Sequence, residues 1–258
     1  MNKPPAPDPI LARLAAGALA LAVAGSPALA LGGSAVSMST WGLSAHTVMV
    51  LGARGSVCTG TLITRRVVIT AAHCVAGSKQ IAVAYHEDGQ PVLQLATGVA
   101  TNPGFSKNAR VSVDVALLRL QEPLPARFSP VRIDAGQAAQ TVGERLTIAG
   151  FGLSEEKNVK SAGTLRTADV ALLPRIYPRF LRIGLDEDLA RLAICKGDSG
   201  GPVFAHVEGE RVLAGVVYAA ERSGKAVTCG ATAQAVRLAP QKPWIERILA
   251  QWERRAGM

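Results

Sequence analysis

Gly197-Asp198-Ser199-Gly200-Gly201-Pro202 (GDSGGP) is the stretch on which the reading of this chain turns. It leads into a β-like run, Val203-Phe204. A serine hydroxyl is a poor nucleophile until a base removes its proton. It must also stand clear of the backbone, beside donors placed for the oxyanion that forms after attack. Glycines on both sides allow tight and positive-φ conformations that expose such a serine and the N–H groups next to it. A bare Gly-x-Ser-x-Gly would fit an ordinary loop; the six-residue string is far more specific.

Working outward, two further segments carry groups that this serine would need. Thr70-Ala71-Ala72-His73-Cys74 follows the β-like run Arg66 to Thr70, and Asp114 opens Asp114-Val115-Ala116-Leu117-Leu118. An imidazole can serve as the base and a carboxylate can orient it. Of the other histidines, His46 and His86 flank β-like runs and His206 lies in a predicted hairpin loop, and all three read as solvated or structural. Asp88, Asp134, Asp169, Asp186 and Asp188 lie in polar contexts and read as turn or surface residues. Glu87 and Asp88 are too few carboxylates for a calcium cage, so no metal and no cofactor is assigned.

The 258 residues are 48% hydrophobic and 18% charged, which excludes intrinsic disorder. Aromatics are only 4%, with 26 Gly and 15 Pro, a balance suited to many short strands and turns. β-like runs recur at Thr47–Leu51, Ile81–Tyr85, Val115–Leu120, Leu146–Ala149, Ala168–Leu172, Gly201–Phe204 and Val212–Tyr218. They predict an antiparallel sandwich or barrel. The Pro- and Ala-rich segment Gln121–Ala139 reads as a linker between two halves. Trp244, Ile245, Ile248, Leu249 and Trp252 fall on one helical stripe, with Pro243 placed for a first turn.

Lys3 and Arg13 precede the apolar run Leu14–Val23, and Ala28-Leu29-Ala30 offers small residues at a cleavage site. Residues 1–30 therefore read as a secretory signal, with an uncleaved anchor as the rival reading. Cys58, Cys74, Cys195 and Cys229 are an even set without a CxxC pair, which suits an oxidised exported chain. Four cysteines allow three pairings, and spacing does not choose among them. Loss of residues 1–30 removes Lys3, Arg13 and Asp8 and leaves about +8 of the +9 net charge. The basic residues are scattered and no nucleic-acid motif accompanies them, so nucleic acid is not an expected partner.

The chain resembles the trypsin/chymotrypsin-family serine endopeptidases over nearly all of residues 31–253. TAAHC resembles the family's histidine motif, DVALLRL its aspartate motif and GDSGGP its nucleophile motif, in the family's order. Cys58-Thr-Gly-Thr-Leu, Gly150-Phe151-Gly152 and Trp244-Ile245 are weaker echoes. The resemblance implies two antiparallel six-stranded Greek-key β-barrels, residues 31–130 and 131–239, with the active site between them and a C-terminal helix over 240–256. It implies His73 as base, Asp114 as its orienting carboxylate and Ser199 as nucleophile, with the Gly197 and Ser199 N–H groups as oxyanion hole. It implies the disulfides Cys58–Cys74 and Cys195–Cys229.

The same resemblance places Ala193 at the base of the primary substrate pocket, with Ala220 and Ala233 on its wall. An uncharged floor predicts cleavage after small to medium uncharged residues. Tyr218, counted with Ala193 and Ala220 as substrate-binding, stands where relatives carry a serine that bonds the catalytic aspartate. In relatives a freed N-terminal amine pairs with the aspartate before the nucleophile, here Asp198. Ala30-Leu31-Gly32-Gly33 predicts that export itself generates this terminus, without a long-lived zymogen. The expected protein is a secreted monomer, extracellular or periplasmic, that acts on protein or peptide substrates and keeps no membrane anchor after processing. A catalytically weak binding protein on this scaffold, or an esterase-type hydrolase, are the alternative readings.

Overall fold

The computed structural model describes residues 40–52, 55–109, 111–155, 158–174, 177–185, 194–221 and 229–256. The predicted signal and cleavage site, Asp186, Asp188 and Ala193 lie outside the described residues. A short helix α1 (Thr40–Leu43) precedes β1 (Thr47–Leu51), β2 (Val57–Thr64) and β3 (Val67–Thr70). A single turn, α2 (Ala72–Val75), leads to β4 (Ala82–Glu87), β5 (Gln90–Thr101) and β6 (Ala116–Leu120).

These six strands close into a barrel in the order β1-β2-β3-β6-β5-β4. The strand β4 pairs back on β1, so β4-β1-β2-β3 is a Greek key. Its interior is built from alternating β-branched and leucine positions, including Val48, Val50, Leu62, Val68, Val83 and Leu118. The β4–β5 hairpin turns on Asp88 and Gly89, both at positive φ (49° and 78°). That is the backbone an Asp-Gly pair favours, and it accounts for Asp88 as a turn residue.

The second half contains β7 (Arg132–Ile133), β8 (Arg145–Gly150), β9 (Arg166–Leu173), β10 (Phe180–Leu185) and the two-residue β11 (Ile194–Cys195). It continues with β12 (Pro202–Val207), β13 (Glu210–Glu221), β14 (Cys229–Gly230) and β15 (Thr232–Arg237). Six strands close in the order β12-β8-β9-β10-β15-β13, sealed by the β12–β13 pairing. Here β12-β8-β9-β10 repeats the Greek key. The chain is therefore an all-β protein of two six-stranded antiparallel barrels with one long helix, α3 (Lys242–Ala256).

The linker reading of Gln121–Ala139 needs correction at one point: Arg132 and Ile133 form β7, which runs parallel to β13 and joins the second sheet. Asp134 is also not a surface residue. It is 1% exposed, and its Oδ1 accepts from the Gln137 and Ala138 N–H groups at 2.9 and 3.1 Å. The strands β2, β5, β10 and β15 were not among the predicted runs.

Each barrel has its own core, and a third cluster welds them together. It joins Val67, Ile69, Val115 and Leu117 of the first half to Phe180, Phe204, Val216 and Val236 of the second. The helix caps this cluster with Trp244 and Ile245, 8% and 1% exposed. Ile248, Leu249 and Trp252 extend the same face, as the stripe predicts. No described helix is long and apolar enough to cross a membrane.

Candidate active site

Strand register brings the histidine to the aspartate. β3 and β6 are antiparallel, with Thr70 opposite Ala116. The chain leaving β3 and the chain entering β6 thus meet at one barrel end, where α2 lifts His73 over Asp114. The Asp114 carboxylate then holds His73 at two points. Its Oδ1 accepts the His73 backbone N–H at 2.8 Å, and its Oδ2 lies 2.7 Å from Nδ1. A carboxylate acceptor at Nδ1 leaves the proton there and turns the lone pair of Nε2 outward. The Asp114 side chain is 10% exposed and that of His73 is 39% exposed, so the orienting group is enclosed and the outer ring edge is open.

Ser199 arrives from the second barrel. The turn 195–202 folds on itself through Asp198 N–H to Cys195 O (3.0 Å) and Gly201 N–H to Asp198 O (2.9 Å). It is pinned to β13 by Gly200 N–H to Val217 O at 2.7 Å. The glycines are required by geometry. Gly197 has φ +103°, and a Cβ on it would stand 2.7 Å from the Gly152 Cα. Gly200 has φ +85°, and its Cβ would meet Thr59 O at 2.0 Å. The N–H groups of Gly197 and of Ser199 itself are left without a protein acceptor among the described residues.

Thr59 of β2 is the residue that sequence reading missed. It is fully buried and ties the turn to the first barrel. Its N–H donates to Ser199 O at 2.8 Å and its hydroxyl to Gly197 O at 2.8 Å, while Phe151 N–H donates to that hydroxyl at 3.0 Å. The only signal was its place after Cys58 in the Cys-Thr-Gly-Thr motif.

The disulfides Cys58–Cys74 and Cys195–Cys229 both form as the resemblance implies. The Cys74 sulfur lies 3.6 Å from His73 Nε2 and 3.8 Å from Ser199 O, so the outer edge of the imidazole and the Ser199 turn flank one atom. Among the described residues no hydrogen bond joins the Ser199 hydroxyl to His73. Such contacts are often long before substrate closes the site. Cys58, His73 and Cys74 also cluster with the spacing of metal ligands, but both thiols are consumed in the disulfide.

Asp198 is buried at 2% exposure. Its Oδ1 accepts Gly152 N–H at 2.9 Å and its Oδ2 accepts Cys195 N–H at 2.8 Å. Burial pushes its carboxyl up to about 7, against the pull of those two N–H groups and of the Arg166 charge.

Tyr218 does not bond Asp114. Its hydroxyl donates to Gln234 Oε1, whose amide in turn donates to Glu221 at 3.0 Å. Glu221 is held by the Arg182 guanidinium at 2.8 Å and by the Thr232 hydroxyl at 2.8 Å, and the Arg182 hydrogen bonds pull its carboxyl down. Desolvation first, then the Asp114 and Glu221 charges, push the Tyr218 phenol up to about 12. It stays a neutral donor near Asp114. Ala220 faces Ala233 across the β13–β15 ladder, and both pack on the core of the second barrel. His46 is structural, with Nδ1 2.6 Å from Ser129 O and its ring edge-on to Phe204. His86 and His206 are exposed.

A family model described as Trypsin matches residues 25–245. Phenoloxidase-activating factor 3 of Holotrichia diomphalia is 28% identical over 184 residues, 59% of this chain and 52% of its own length. Kallikrein-14 of Homo sapiens is 28% identical over 58% of this chain and 60% of its own. Snake venom serine proteinase 14 of Crotalus adamanteus is 27% identical over 59% and 64%. The match thus spans roughly half to under two thirds of these relatives. With a family model that covers most of its length and two barrels joined as described, the chain belongs to the trypsin family.

Proposed function

We propose that this protein is a secreted serine endopeptidase that cleaves peptide bonds through Ser199, His73 and Asp114. The observation that supports it most is the pairing of Asp114 with His73, together with a glycine turn that leaves the Gly197 and Ser199 N–H groups without a protein acceptor among the described residues. Ser199 Oγ attacks the scissile carbonyl while His73 Nε2 takes its proton. The carbonyl oxygen becomes an oxyanion held by the Gly197 and Ser199 N–H groups. Collapse breaks the C–N bond, and His73 returns the proton to the leaving amine. Water, deprotonated by His73, then hydrolyses the acyl-enzyme and restores the Ser199 hydroxyl. Asp114 keeps Nδ1 protonated and stabilises the imidazolium in both halves.

The substrate class is protein or peptide, with a small to medium uncharged residue before the scissile bond. The family resemblance puts the uncharged Ala193 at the floor of the substrate pocket and the half-buried Ala220 on its wall. Two disulfides suit an oxidising compartment, extracellular or periplasmic. Export removes residues 1–30, the freed amine joins Asp198, and the mature chain acts as a monomer.

The test is fluorophosphonate labelling of the secreted protein, followed by digestion of a peptide library, with Ser199→Ala as control. Labelling of wild type alone and cleavage after Ala, Val or Leu are expected. An unlabelled wild type overturns the reading.

A further inference from the structure

The loop between β8 and β9 contains a cation that the mechanism does not use. Arg166 opens β9, and its guanidinium turns back into the loop rather than out to solvent. Nη1 donates to Gly152 O at 3.2 Å and to Thr164 O at 3.3 Å, and Nη2 donates to Ser161 O at 3.3 Å. Three carbonyls from both arms of one loop thus converge on a single planar fork, which only an arginine satisfies. No carboxylate pairs with it directly among the described residues.

The residue it grips is the residue that grips Asp198. Gly152 gives its carbonyl to Arg166 and its N–H to Asp198 Oδ1 at 2.9 Å. The fit leaves no slack: a Cβ on Gly152 would lie 2.5 Å from the Asp198 carboxyl carbon, and one on Gly150 would lie 2.2 Å from Oδ1. Asp198 in turn receives Cys195 N–H, and its own backbone closes the turn that presents Ser199. The guanidinium is also the charged group whose field reaches the buried carboxyl, and that field favours the ionised form. A buried carboxylate without a nearby cation is costly.

We propose that Arg166 is a positioning residue for the nucleophile: it clamps Gly152 against Asp198 and supplies resident positive charge, so that the turn carrying Gly197 and Ser199 is formed before any chain terminus reaches it. The inference rests on the endopeptidase reading above. It deepens that reading by making the site preorganised rather than dependent on the freed amine alone. Removing Arg166 loosens Gly152, leaves Asp198 without a neighbouring cation and lets the two oxyanion donors drift. The loss falls on the transition state, hence on kcat, because misplacement by about 1 Å costs about 10²-fold.

The experiment compares wild type, Arg166→Ala, Arg166→Gln and Arg166→Lys in the secreted protein. Wild type must first label with fluorophosphonate; if it does not, the endopeptidase reading fails and not this one. With an active wild type, Arg166→Ala is expected to lose about 10- to 100-fold in kcat with KM changed less than about threefold. Arg166→Lys, which keeps the charge, should retain more than the uncharged Arg166→Gln. Added methylguanidinium should restore part of the Arg166→Ala activity by refilling the vacated space. A folded Arg166→Ala protein with wild-type kcat overturns the proposal. So does a loss that is equal in the Lys and Gln variants and unresponsive to methylguanidinium. If Arg166→Ala does not fold, the Lys-against-Gln comparison decides in the same way.

Discussion

Thr59 and Ser199 belong to different barrels and are joined backbone to backbone, Thr59 N–H donating to Ser199 O at 2.8 Å. The Thr59 hydroxyl adds a second tie, to Gly197 O at 2.8 Å, and accepts Phe151 N–H at 3.0 Å. Thr59→Val keeps the shape and the backbone tie but leaves the buried Gly197 carbonyl and the part-buried Phe151 N–H without that partner. Each such group costs about 1–3 kcal/mol. The urea midpoint of Thr59→Val should fall accordingly, and kcat should drop with it because Gly197 is a proposed oxyanion donor. An unchanged midpoint would show that the tie contributes nothing.

Asp114→Asn tests the orienting carboxylate. An amide at Oδ2 presents either a donor to Nδ1–H or a weaker acceptor, and the imidazole loses its preferred tautomer. In this triad chemistry the change lowers kcat by about 10⁴. Binding of an uncleavable peptide should hardly change. A kcat within tenfold of wild type would remove Asp114 from the catalytic machinery.

The specificity proposal turns on Ala220, which faces Ala233. Ala220→Gly removes one methyl group from the wall. One methylene in an apolar pocket is worth about 10- to 200-fold in discrimination. The ratio of kcat/KM for Phe over Ala before the scissile bond should rise by at least that lower figure. A constant ratio places the specificity wall elsewhere.

Asp198 makes stability depend on pH in an unusual direction. Its carboxyl is raised from 3.8 to about 7. The folded state therefore binds this proton more tightly than the unfolded state. Between the two values folding takes up a proton, so the contribution of Asp198 to stability declines as pH rises through that window and is level above it. The slope is at most about 1.4 kcal/mol per pH unit. Urea titrations of Ser199→Ala with its N-terminal amine acetylated, so that no freed amine pairs with Asp198, should show this decline from pH 5 to 7 relative to Ser199→Ala/Asp198→Asn. Parallel curves would assign the pH dependence to other groups.

Local sequence carried the candidate site because each of its groups sits in its own short motif. His73 follows a strand end, Asp114 opens a strand, and Ser199 sits among glycines whose positive φ is written into GDSGGP. The helix was legible for the same reason: its apolar stripe at Trp244, Ile245, Ile248, Leu249 and Trp252 is a property of consecutive residues. What chain neighbours did not determine were the partners that strand register and barrel closure bring from afar. Tyr218 could have bonded Asp114 but reaches Gln234, 16 residues on, because the irregular β13–β15 ladder places that amide within range. Thr59 bridges to a turn 138 residues away, and Arg166 folds back on Gly152 rather than pointing into solvent. Such contacts depend on how two closed barrels dock, a long-range geometry that residue type and spacing do not encode one segment at a time.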